Sequence, residues 1–362
     1  MGDSSQRTAD EFREVVDEIR KEAGSRLAIM AHYYAPDEVV ELADEVGDSL
    51  ALAKKAAAST ADAVLFCGVH FMLETADILM NAPEKLEARN GRRALVMAPD
   101  PTAGCPMADM IAFDQAIEWE RQLATLVDVS EFTPITYVNS SAATKAFCGE
   151  RDGAVCTSAN AEKVVRDALR KRPKLLFMPD SRLGRTTCLA LGFSHNEIAV
   201  WTPDVPLGGN EPEKLRRARA VLWDGYCPIH QKFSADVITE IRAKNPDAKF
   251  WVHPEAPREI VDLSDGYGST TKLLQVVADA APGSTLAIGT EWKLVDRMRR
   301  QNSDKTILYP GATPSVCEDM SKSTLEKVAI ALRAWRDGEP INVVTTPDEI
   351  AASARKALAS LL

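Results

Sequence analysis

No apolar run in the 362 residues approaches the ~18 that a membrane-spanning helix requires, so a spanning segment is not expected. There is no low-complexity tract, and 45% hydrophobic with 27% charged residues is the make-up of a folded globular chain. Basic residues are in deficit, 43 against 53 acidic, and no Lys/Arg cluster interrupts the resulting net charge of −10. That balance argues against nucleic acid and anionic membranes as partners, although a small anion could bind in a local site. No Cys-x-x-Cys pair occurs, and the cysteine count of seven is odd, so thiols are expected and not a disulfide framework. The start, "MGDSSQRTADEF", is too polar and acidic for a secretory signal, and Gln6 breaks a myristoylation pattern. A cytoplasmic protein is the expectation.

What is present is a repeat. The chain is too long for one ordinary core and suggests two or three domains of about 100–150 residues. Apolar, β-rich runs alternate with helical stretches, the pattern of an α/β fold. One series of strand ends reads "LAIMAHYY", "ITYVNSS" and "KFWVHPEA", each followed by a helix start with Ser/Thr and Lys: "GDSLALAKKA", "SSAATKAF" and "YGSTTKLLQVV". A second series is "AVLFCGVHFMLETADIL", "AVCTSANAEKVV" and "LAIGTEWKLVDRM"; a third is "LVMAPDPTAGC", "LLFMPDSRLG" and "ILYPGATPSVC". The simplest architecture is three similar αβα domains with parallel sheets around a central site, because ligands collect beyond the carboxyl ends of parallel strands. The expected boundaries are 24–125, 126–230 with an insertion near 202–220, and 231–340. A helix over 8–23 and a C-terminal helix within 341–362 flank the repeats. Phe12, Val15, Val16 and Ile19 share one face of the first helix and should pack against the rest.

The cysteines divide into two groups. Cys67, Cys156 and Cys188 lie in apolar runs and read as core thiols, and Cys148, in "FCGERDG", reads as a surface thiol. Cys105, Cys227 and Cys317 each follow a strand in a Gly/Pro-bent stretch, one per repeat. Three thiolates without a fourth suit an iron–sulfur cluster with one open iron, or zinc with three Cys and water.

The blocks "AHYY", "GDSLALA", "FCGVHFMLETADIL", "PDPTAGCPMAD", "TYVNSSAATKA", "CTSANA", "MPDSRLGR", "GYCPIH", "VHPE", "GSTTKLL", "IGTEWKLV" and "CEDM" resemble the quinolinate synthase family, in its order. The likeness runs from about Leu27 to Leu332. It implies three α/β domains related by a pseudo-threefold axis and a 4Fe–4S cluster on Cys105, Cys227 and Cys317. It further implies condensation of iminoaspartate with dihydroxyacetone phosphate to quinolinate, for de novo NAD biosynthesis. L-Aspartate oxidase or aspartate dehydrogenase is then the expected source of iminoaspartate. The matched motifs place substrate contacts on His32, Ser49, Tyr137, Val138, Asn139, Ser158, His253, Pro254, Glu255 and Thr270. The resemblance also implies that Tyr34 and His230 are further active-site residues, with Glu255, His253, Tyr34, Tyr137 and His230 as the catalytic set. Ala256 stands where the family often has Cys, and Cys317 has no neighbouring cysteine, so no local disulfide switch is expected.

An open iron would act as a Lewis acid, with Glu255 and His253 handling protons. Lys54, Lys145 and Lys272 are expected to face solvent, which ranks a Schiff base low. His70 is open between a structural role and the pocket. The residues alone also allow an aconitase-like hydro-lyase or an iron–sulfur redox sensor.

Overall fold

The computed structural model describes residues 2–362, with side chains from Thr8 onward, so Met1 and the Gln6 side chain lie outside the described residues. It contains three wholly parallel sheets. The first has β1 (Leu27–His32), β2 (Glu45–Gly47), β3 (Ala63–Cys67) and β4 (Leu95–Met97), in the order β2-β1-β3-β4. The second has β5 (Phe132–Tyr137), β6 (Ala154–Cys156), β7 (Lys174–Met178), β8 (Ile198–Trp201) and β9 (Ala220–Trp223), in the order β6-β5-β7-β9-β8. The third has β10 (Lys249–Val252), β11 (Gly266–Tyr267), β12 (Thr285–Gly289) and β13 (Thr306–Leu308), in the order β11-β10-β12-β13. Helices cross between the parallel strands, as the expected α/β architecture requires.

The four-strand order is the same in every sheet once β8 is set aside, and it corrects the sequence alignment of the middle copy. "AVC" (β6) is the short outer strand equivalent to β2 and β11, not to β3 and β12. The equivalents of β3 and β12 are β7, and those of β4 and β13 are β9. The slip has a local cause. The helix between the first two strands is only Asp37–Val40 in the first sheet and Arg258–Leu263 in the third, but Ala142–Gly149 in the second. Ser141 caps that longer helix by accepting from Thr144 N, so "SSAATK" imitates the Ser/Thr start that follows the outer strand elsewhere. The true middle counterpart begins at "TSANAEK", which aligns Ser158 with Ser49 and Thr270.

The segment near 202–220 is the crossing from β8 to β9, so it adds an edge strand as well as a surface turn. Leu207 and Gly208 there have φ of 54° and 59°, and a Cβ on Gly208 would lie 2.5 Å from the Trp201 ring.

The chain forms two compact units, residues 1–105 with 317–348, and residues 106–316 with 349–362. In the first, Val16 and Ile19 of the helix Gly2–Ala23 pack with Ile29 of β1, Leu65 of β3, and Val328 and Leu332 of the helix Leu325–Arg336. Phe12 and Val15 pack on the same cluster, as their spacing predicts. In the second unit, Trp119 lies 5.5 Å from Trp223 and 6.2 Å from Trp201 beside the second sheet. Phe250, Val252, Ile260 and Ala287 form the core of the third. No helix among the described residues is long and apolar enough to cross a membrane.

Candidate active site

Within the second unit, the carboxyl ends of β5 and β10 carry one connected set of polar groups. Tyr137 closes β5 and is buried, and Val138 N donates to Cys156 O at 2.8 Å, which pins the turn beyond the strand. His253 follows β10 and is pinned by its N–H to Gly289 O at 2.9 Å; Ala256 N returns to His253 O at 3.1 Å, making His253–Pro254–Glu255 a tight turn. His230 stacks on His253 with centroids 4.4 Å apart and 15° between planes. Glu255 Oε2 is 2.6 Å from His230 Nδ1 and 3.5 Å from His253 Nδ1. The Tyr137 hydroxyl hydrogen-bonds to the Glu255 carboxylate and to Ser158.

These groups are dry: His230, His253 and Glu255 are only 2–3% exposed. Burial alone would raise the Glu255 pKa, but the imidazoles of His253 and His230 outweigh it and hold the carboxyl at about 2. Burial, reinforced by the Glu255 charge, pushes the Tyr137 hydroxyl well up. The site therefore keeps an ionised carboxylate beside a protonated phenol. Asn139 Oδ1 is buried and has no hydrogen-bond partner among the described residues, so it is an acceptor awaiting a donor. Thr270 opens the helix Thr270–Asp279, whose N-terminus Ser269 caps by accepting from Lys272 N.

Cys227 borders this set. Its carbonyl accepts from His230 N at 3.2 Å and from Gln231 Nε2 at 3.2 Å, and Gln231 Nε2 also donates to Glu255 O at 3.0 Å. One ligand atom each from Cys227, His230 and Glu255 lie within 4.8 Å of one another.

The first unit carries the other predicted residues. His32 ends β1, is buried, and accepts from Tyr34 N at 3.1 Å through Nδ1; the two rings meet edge-on at 4.6 Å. Ser49 begins the helix Ser49–Ala58, capped by Asp48. Cys105 and Cys317 belong to segments that the unit ties together: Gly104 N donates to Asp319 Oδ1 at 3.2 Å, and Lys322 Nζ to Thr102 O at 2.7 Å. His70 sits at the start of the helix His70–Met80, its side chain 55% exposed and 3.9 Å from Glu74, beside a cavity of about 280 Å³.

Burial sorts the cysteines by chemistry. Cys67, Cys156 and Cys188 are buried as expected, and burial raises their thiol pKa values, Cys67 and Cys188 to about 12. Cys148 is not a surface thiol. It is fully buried and its pKa is also raised by burial, because the helix Ala142–Gly149 runs through it and the helix Asp348–Leu358 lies on top. A Cβ on Gly149 would be 1.8 Å from Ser353 O, which measures how closely they approach. Lys145 is likewise buried and not solvent-facing, with its ammonium on Ser140 O, while Lys54 and Lys272 are exposed as expected. Only Cys105, Cys227 and Cys317 are partly exposed. Partial exposure leaves each of these three thiols reachable by a metal, which the four buried thiols are not.

Asp180, which the sequence does not single out, lies within electrostatic reach of Glu255. It is fully buried, and its Oδ1 caps the helix Ser181–Ala190 by accepting from Arg182 N at 2.7 Å and Leu183 N at 2.9 Å. Its Oδ2 has no partner among the described residues. Burial and then the Glu255 charge raise its pKa well above the carboxylate range. "PD" before a helix signals a cap and nothing more, so the sequence held no sign of the second oxygen's situation.

The family model of the quinolinate synthetase A protein matches residues 14–362 of the chain. A quinolinate synthase from Rhodopirellula baltica is 40% identical over 336 residues, 92% of this chain and 86% of the relative. One from Corynebacterium glutamicum is 39% identical over 354 residues, covering 98% and 87%. One from Geobacillus thermodenitrificans is 39% identical over 357 residues, covering 98% and 93%.

Proposed function

We propose, because the chain belongs to the quinolinate synthetase A family, that it is a quinolinate synthase: a transferase that condenses iminoaspartate with dihydroxyacetone phosphate, releasing phosphate and two waters. The reaction serves de novo NAD biosynthesis, with L-aspartate oxidase or aspartate dehydrogenase supplying iminoaspartate. The observation that carries the reading is the buried Tyr137–Glu255–His230–His253 set with Cys227 at its border.

Cys105, Cys227 and Cys317 would hold a 4Fe–4S cluster, which supplies Lewis-acid assistance to loss of a hydroxyl. The remaining work falls to side chains. Glu255, kept ionised by two imidazoles, accepts a proton from substrate carbon or nitrogen. Tyr137, kept protonated, donates toward developing negative charge on oxygen. Asn139 Oδ1 gives the imine N–H of iminoaspartate the acceptor it needs. The Thr270 helix start suits one of its carboxylates. His32, Tyr34 and Ser49 are assigned to the same substrate by the matched motifs. Burial of the acid–base groups keeps water from the reactive imine.

Anaerobically purified protein given both substrates should form quinolinate, identified by its mass and ultraviolet spectrum. Disappearance of substrate into a different dehydrated acid would support a hydro-lyase, and no consumption at all would leave the sensor reading. One observation favours a second metal reading: a thiolate, an imidazole and a carboxylate within 4.8 Å form a donor set that zinc accepts. Metal analysis of the same sample decides it. About four iron per chain supports the cluster, and one zinc without iron refutes it.

A further inference from the structure

A cavity of about 270 Å³ in the second unit is lined by Arg182, Arg185, Arg258, Glu259, Pro257 and Gln231. Two of its three guanidinium groups have carboxylate partners. Arg182 lies 3.3 Å from Asp224, and Arg258 pairs with Asp262 on its own helix. The Arg185 side chain has neither a hydrogen bond nor an ion pair among the described residues, although it is only partly exposed. Its side-chain donors thus face the cavity and water between two other guanidinium groups, where an anion could take the place of water. Burial, and then the Arg182 charge, lower the Arg185 pKa against the opposing pull of Asp224. Glu259 is the one carboxylate in the lining, and it is exposed.

We infer that this cavity is a phosphate site adjoining the Glu255 centre, with Arg185 as its principal ligand. Guanidinium forks match phosphate oxygens two at a time, and the volume suits a phosphate or small phosphomonoester. Gln231 is the shared wall, lining the cavity while its Nε2 holds the carbonyls of Cys227 and Glu255. The inference rests on the proposed reaction for its biological sense, since that reaction consumes a phosphomonoester and releases phosphate. Both are the same dianion chemically.

The binding test needs no turnover. Inorganic phosphate is titrated calorimetrically into anaerobic, cluster-loaded protein at fixed ionic strength, using wild type, Arg185→Gln and Arg258→Gln. Loss of a charge-assisted fork should weaken binding by about tenfold or more in Arg185→Gln. The cluster absorbance should not change, which reports an intact fold. Steady-state kinetics then separate the two sources. A KM for dihydroxyacetone phosphate raised about tenfold, with the KM for iminoaspartate unchanged, identifies the substrate's phosphate. An unchanged KM with relief of inhibition by phosphate identifies the released product. Phosphate binding that is lost in Arg185→Gln, in a protein that makes no quinolinate, would keep the site and refute the reaction. Quinolinate formation by a wild type that binds no phosphate, or binds it no better than Arg185→Gln, would overturn the site and keep the reaction.

Discussion

Replacing Glu255 by Gln removes one charge from a sealed site and leaves its shape. The carboxylate stands 2.6 Å from His230 and 3.5 Å from His253, and its pKa falls from an ordinary 4.5 to about 2. At about 1.36 kcal/mol per unit, that depression stabilises the folded protein by about 3 kcal/mol. Because the folded value is the lower one, the contribution is complete above pH 4.5 and fades as the pH falls toward 2. The gap between wild type and Glu255→Gln in urea midpoint should therefore narrow as the pH is lowered from 4.5 toward 2. A gap that does not narrow there would refute the carboxylate's contribution. The same variant should lose turnover by about 10²–10⁴-fold if Glu255 moves a proton. Urea unfolding by tryptophan fluorescence and quinolinate formation by cluster-replete protein measure the two effects. A variant as stable as wild type, with activity within a few-fold, would refute both the ion-pair energetics and the proton-carrying role.

Cys105→Ala, Cys227→Ala and Cys317→Ala should each purify without iron, whereas Cys148→Ala and Cys188→Ala should keep about four iron per chain by metal analysis. Asp180→Ser preserves a helix cap but deletes the buried second oxygen, so its melting temperature should stay near wild type while kcat falls; an unchanged kcat would confine Asp180 to capping. Gly225→Ala places a Cβ 2.5 Å from Pro179 O and 3.3 Å from Met110, which should cost about 1–3 kcal/mol by chemical denaturation. Air exposure should abolish activity and iron with thiol should restore it, because an iron without a protein ligand is the first to leave.

Much of the fold was legible because parallel strands buried on both faces read as unbroken apolar runs. "AVLFC", buried along its whole length, is the plainest case. The first helix declared its buried stripe through Val16 and Ile19. The short outer strands were not legible: "AVC" and "GY" have too few residues to carry a period, so the middle copy slipped. Burial of Lys145 and Cys148 was also hidden, since the helix that covers them lies some two hundred residues further along. At the site, the rings and carboxylate after β5 and β10 stood out as odd residues at strand ends. Asp180 and Arg185 did not, because their significance lies in partners they lack, and a sequence records only residues that are there.

The helix Leu325–Arg336 packs against β1, β3 and the first helix, yet it is encoded after every strand of the second and third sheets. During synthesis the first sheet must therefore wait, with Ile29 and Leu65 lacking their cover, until the ribosome has finished the other two. Such late closure across a long stretch of chain slows folding and leaves an apolar surface open to chaperones or to other nascent chains. Released chains truncated at residue 316 should accordingly show a protected third sheet, complete by Leu308, and a protease-sensitive first sheet, a vulnerability set by the order of translation.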